Sequence, residues 1–162
     1  MLLPLVLVGV AGLVAAAVGL SGGPDLRRVA AGLRWPVSYV TSAASWARRR
    51  GLPLEWVLAT IIVESNGNPN ARGDGGKSVG LMQVNTNAHP VTVEQMMHPA
   101  LNIQWGTQIL RNYRDKIVAA YGGREPQNLD EISRLAYKGP STVLAAIKRG
   151  ENPLSIAWAP EA

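Results

Sequence analysis

The chain contains no cysteine. That absence excludes disulfides, thiolate metal sites and thiol nucleophiles, and it leaves the redox compartment open, because many envelope proteins also lack the residue. Histidine is nearly as scarce. His89 and His98 are the only two, each stands directly before a proline, and pre-proline backbone is extended or turned. No carboxylate-rich helix brings them together at ligand spacing, so neither a metal nor any other cofactor is expected. Strand signals are almost missing too. Charged side chains make up only 17% of the 162 residues against 47% hydrophobic ones. This balance excludes a disordered chain and leaves room for one compact domain with an appendage. The net charge of +5 comes with no nucleic-acid motif. It suits the anionic cell envelope, and toward DNA it supports nonspecific attraction only.

Residues 1–20 lack any charged side chain and are mostly Leu, Val, Ala and Gly. As a helix they would extend about 30 Å, the thickness of a bilayer's hydrocarbon core. A secretory signal is the alternative, with Ala15-Ala16-Ala17 as a small-residue cleavage site. Such signals usually begin with a cation, however, and the first one here is Arg27. Residues 1–23 are therefore read as a retained transmembrane helix. Ser21-Gly22-Gly23-Pro24 forms a hinge, residues 24–36 a linker and residues 37–162 the main domain. Arg27, Arg28 and Arg34 follow the apolar segment, and by the positive-inside rule they would hold that domain in the cytoplasm.

Val37, Val40, Ala43, Ala44 and Ala47 recur at helical spacing. The run closes on Arg48-Arg49-Arg50 and Gly51, ordinary helix-stop chemistry, which favours a solvated helix end over a lipid-binding patch. Further helices are expected at residues 53–65, 91–97, 100–121, 130–137 and 141–149. The fold class is all-α, with one irregular segment at 66–79 that is rich in glycine and carries Arg72, Asp74 and Lys77. That loop is expected to be mobile. Within 53–65, Val57, Ile61 and Glu64 are spaced by four and three, so a helix stacks them on one face and points the carboxyl where core residues point. Desolvation favours the protonated acid, and a carboxylic acid protonated near neutrality can donate to a leaving oxygen. Taken alone, Glu64 could equally end a helix and reach water.

Its neighbours carry more. Glu64-Ser65 is followed by Asn68-Pro69-Asn70-Ala71 and then by Gly80-Leu81-Met82-Gln83. Pro99-Ala100-Leu101-Asn102-Ile103-Gln104-Trp105-Gly106 comes next, and Ala136-Tyr137-Lys138-Gly139 last. These four collinear stretches resemble the soluble lytic transglycosylase family, whose catalytic domain has the goose-type lysozyme-like fold. The resemblance implies Glu64 as the catalytic acid. It also implies a cleft lined by Ser65, Gly80, Leu81, Met82, Gln83 and Asn102, with Tyr137 near the acid. Leu81 and Met82 read equally well as core residues, Asn102 as an internal hydrogen-bonding group and Tyr137 as a buried structural tyrosine. The last stretch departs from the family pattern. Lys138 replaces the usual Asn and one residue is missing before the glycine, so Lys138 is expected to point away from the cleft.

The implied reaction is cleavage of the β-1,4 bond between N-acetylmuramic acid and N-acetylglucosamine in peptidoglycan, with closure of a 1,6-anhydro ring. Asp74 is the only acid placed near the cleft by sequence. If it held a water against the anomeric carbon the enzyme would be a muramidase, since hydrolases commonly use two carboxylates. A third reading makes the domain a non-catalytic glycan-gripping part of an envelope-penetrating machine. The orientation conflict disappears if the chain is a phage virion-associated or secretion-system-type member that meets the wall by another route. The expected partners are therefore peptidoglycan strands, a membrane through residues 1–20, and other virion or envelope-machine proteins. The expected place of action is the envelope.

Overall fold

Eight α-helices and a three-stranded sheet form among residues 3–16 and 25–156, the residues described by this computed structural model. Side chains of the first helix are described for residues 9–15. The helices are α1 (Leu3–Ala16), α2 (Leu26–Leu33), α3 (Val37–Arg50) and α4 (Leu54–Ser65), followed by α5 (Val93–Met97), α6 (Pro99–Ala120), α7 (Leu129–Lys138) and α8 (Pro140–Lys148). From α3 onward they follow the spacing of apolar residues in the sequence to within two residues at each end.

The structure bears on three expectations. The first concerns the membrane segment. No helix among the described residues is long and apolar enough to cross a membrane. The described part of α1 packs on α4 and α2. Val10 is 3% exposed, and Leu13 lies over Gly32, where an added Cβ would come within 2.5 Å of Leu13 Cδ1. Residues 17–23 of the expected span, and the 21–24 hinge, lie outside the described residues.

The second concerns the stretch read as a linker. It contains α2, whose N-cap Asp25 accepts from the backbone N–H of Arg27 at 3.0 Å and of Arg28 at 3.3 Å. Val29 and Ala30 are buried, while the arginines around them mask the apolar face in the sequence.

The third concerns the loop. Residues 66–79, read as irregular and mobile, hold the first two strands of an antiparallel sheet, β1 (Arg72–Gly73), β2 (Ser78–Val79) and β3 (Val84–Asn85) in that order. Arg72 pairs with Val79 and Gly73 with Ser78, then Ser78 with Asn85 and Val79 with Val84. The class is thus mostly helical with one small sheet. Two-residue strands are too short to show a period.

The chain divides into two compact units, Met1–Gln108 and Ile109–Ala162, with the boundary inside α6. The first is built on Val57, Leu58, Ile61, Leu81, Met82, Met96 and Ile103, all fully buried. The second is built on Ile117, Leu129, Ile132, Ala136, Val143 and Ile147. In the first unit Arg50 is turned inward. Its Nη1 donates to Thr107 Oγ1 at 2.8 Å and its Nε to Gln108 Oε1 at 3.1 Å, while its guanidinium lies 4.3 Å from the Trp46 ring centroid. Burial pushes its pKa below the usual arginine value. Arg48 and Arg49 remain exposed, as expected of a helix end.

Candidate active site

Helix α4 delivers Glu64. Val57 and Ile61 are fully buried, and Glu64, next on the same stripe, is partly buried in the last turn. The helix stops there because Asn66 takes the left-handed conformation, φ 50°, with Gly67 at φ 80° behind it. Asn68 N–H then returns to Ser65 O at 3.0 Å, and Asn68 Oδ1 accepts from Asn70 N–H at 2.9 Å. The chain therefore turns away immediately after the carboxyl. The Ser65 hydroxyl is engaged inside the protein, lying 2.8 Å from Leu81 O and 3.2 Å from Ile61 O and accepting from Gly67 N–H at 3.2 Å. It fastens the end of α4 to the turn at 80–83.

That turn is held from both sides. Gly80 N–H donates to Ala71 O at 2.9 Å and Gln83 N–H to Gly80 O at 3.2 Å. Gly80 has φ 81°, and a Cβ on it would stand 2.3 Å from both Met96 O and Asn102 Nδ2. Only glycine fits there. Gln83, also left-handed at φ 47°, donates from Nε2 to Ala71 O at 3.1 Å and Gly80 O at 3.0 Å. Leu81 and Met82 are fully buried, so they belong to the core, where the resemblance implied a cleft lining. Asn102 lies beneath the turn and is fully buried. Its Oδ1 accepts from Met82 N–H at 2.7 Å, and its Nδ2 donates to Val79 O at 2.8 Å and Met96 O at 2.9 Å. Both amide N–H donors and the carbonyl are thus in use, which makes Asn102 a brace where the resemblance implied a cleft contact.

Ser65, Gly80, Leu81, Met82, Gln83 and Asn102 are therefore one hydrogen-bonded assembly beside Glu64. Tyr137 lies in the second unit. It is half-buried on α7 with its ring edge-on to Tyr113, centroids 6.3 Å apart at 90°, and burial pushes the Tyr113 phenol pKa up. Lys138 is exposed at the end of α7. Asp74 is exposed in a left-handed turn at φ 51°, and its Oδ2 accepts from the Ser78 hydroxyl. His89 lies 6.2 Å from the Trp105 ring, tilted by 41°, and burial holds its pKa below the usual histidine value. Among the described residues no group of three or more His, Cys, Asp or Glu could hold a metal.

Sequence reasoning gave no individual role to Ala71, Met96 or Gly106. The first two contribute only carbonyls, which no side chain advertises. Gly106 had a signal, a glycine inside a helical run: a Cβ there would stand 2.5 Å from Met82 Sδ and 2.6 Å from Met82 Cβ.

The mostly helical first unit sets a partly buried acid at a helix end beside a braced turn, an arrangement compatible with the lysozyme-like class. The family model described as the transglycosylase SLT domain matches residues 41–151, and the chain belongs to that family, whose members are lytic transglycosylases. No curated protein and no solved structure matches the chain.

Proposed function

We propose that the protein is a peptidoglycan lytic transglycosylase in which Glu64 acts alone, first as acid and then as base. The observation that carries this reading is the place of Glu64, at the end of a buried stripe within the matched family domain. Glu64 donates a proton to the oxygen between N-acetylmuramic acid and N-acetylglucosamine, and the bond from the muramyl anomeric carbon to that oxygen breaks with assistance from the substrate's N-acetyl group. The carboxylate then takes the proton of the muramyl C6 hydroxyl, whose oxygen closes on the anomeric carbon. The products are a 1,6-anhydromuramyl end and a free N-acetylglucosamine hydroxyl, and no water is consumed. Gln83, the one partly exposed residue of the 80–83 turn, lies against the sugar. Asp74, exposed and tied to Ser78, supports a single-carboxylate route over a muramidase. The apolar residues 1–20 favour work beside a membrane, opening the wall locally during phage entry or assembly of an envelope-spanning machine.

Glu64→Gln should release no muropeptides from purified sacculi while melting within a degree or so of the parent, a near-isosteric change at a partly exposed site. Mass spectrometry of the parent's products should find ends lacking one water. Undiminished release by the variant would remove Glu64 from the mechanism, and reducing ends would make the enzyme a hydrolase.

A further inference from the structure

A second surface of the first unit has the composition of a lipid contact. A groove of 560 Å³ opens between α2, α3 and the α3–α4 connection, lined by Leu26, Ala44, Ala47, Leu52 and Leu54, with Arg48 on its rim. It does not include Glu64. Thr41 and Ser45 complete its α3 wall, and by helical spacing Val37, Thr41, Ala44 and Arg48 fall on one stripe. Val37 at the end of that stripe is 44% exposed, so apolar surface continues out of the groove.

The two helices that wall this groove are rich in arginine. Residues 25–50 contain six arginines and one acid. The acid, Asp25, is occupied in capping α2, and Arg50 is turned inward against Thr107 and Gln108. Arg27, Arg28, Arg34, Arg48 and Arg49 are exposed. Glu55, beside Leu54, is the one carboxylate next to the groove on the α4 side. The apolar helix α1 packs on α2, the helix that supplies Leu26 to the groove wall.

We infer that this face docks on an anionic phospholipid bilayer, with headgroup phosphates held by Arg27, Arg28 and Arg48 and the upper acyl segment entering the groove. The arginine guanidinium suits phosphate oxygens, and clustered cations beside apolar side chains are the composition of an interfacial contact. The docking is separate from glycan cleavage, so each can fail without the other.

The chain's lack of cysteine gives the test. Thr41→Cys in the full chain, labelled with an environment-sensitive fluorophore, should shift to the blue on vesicles containing phosphatidylglycerol and not on pure phosphatidylcholine. The shift should fade as salt approaches 1 M, where the Debye length is about 3 Å. Adding Arg27→Gln, Arg28→Gln and Arg48→Gln together should weaken association with the anionic vesicles by roughly a hundredfold and leave sacculus cleavage unchanged. Equal shifts on both vesicle types, or an anionic preference that survives the triple change, would overturn the inference. So would a shift without vesicles that grows with protein concentration, which would mean that a second copy fills the groove.

Discussion

Asn102 shows how much can rest on one side chain. It is fully buried and holds Met82 N–H, Val79 O and Met96 O at once. Asn102→Ala strands those backbone groups and opens a void, at a cost of about 3 kcal/mol or more. Chemical denaturation should read that loss directly, and glycan cleavage should fall with it because the turn beside Glu64 loses its brace. Asn102→Asp keeps the acceptor and removes both donors, so it should recover little. His89 gives the pH counterpart. Its folded pKa lies below the unfolded 6.5, so the unfolded chain binds the proton first. The neutral ring's contribution is present above pH ~6.5 and is lost as pH falls through the depressed value. The melting temperature of His89→Gln should therefore drop less between neutral pH and pH ~5 than that of the parent. The stripe Val57, Ile61, Glu64 was legible because helical period needs only local spacing. The role of Asn102 was not, since its partners are backbone groups up to 23 residues away.

Helices carry the site, and each helix end does a specific thing. Glu55 stands in the first turn of α4, where the helix dipole welcomes a carboxylate, and Glu64 in the last, where it does not. Helix α6 does two jobs along one face: Asn102 braces the turn, and four residues on Gly106 leaves the space that Met82 fills. Gly106→Ala should gain helix propensity of up to ~1 kcal/mol yet destabilise overall by about 1–3 kcal/mol through collision with Met82. In a Met82→Ala background the same change should cost much less, and urea melts of the four-member cycle would measure the coupling. A Gly106 penalty that is the same with either residue at 82 would disprove the contact. The helices from α3 onward were readable because each repeats its apolar spacing over several turns. The sheet was not, because its pairings at Arg72–Val79 and Val79–Val84 follow from turn geometry at Asp74, Gly75 and Gly80, not from a hydrophobic period. Helix α2 was hidden by its length of eight residues and by the arginines at both of its ends.

At the scale of the molecule, the question that the sequence answered differently from the structure is what α1 does. Composition sees an uncharged apolar run and matches it to a bilayer, because hydrocarbon and a protein core make the same demand on side chains. The distinguishing information is the surface that α4 and α2 offer, and that surface exists only after folding. Two positions on α1 separate the possibilities. Val10 is 3% exposed, whereas Gly12 is exposed with nothing within 4 Å of an added Cβ. Both would lie in hydrocarbon if α1 spanned a membrane, and an aspartate at either would then carry a similar penalty. With α1 docked, Val10→Asp forces an unpaired charge into the packed face and should destabilise the fold by about 3 kcal/mol or more. Gly12→Asp meets water and should cost no more than ~1 kcal/mol, the range of an ordinary surface change on a helix. Thermal melts of the two full-length variants compare the same added charge on the same helix two residues apart. A large gap between them means that α1 is part of the first unit's core and supports α4 from behind, and equal midpoints would return α1 to solvent or lipid.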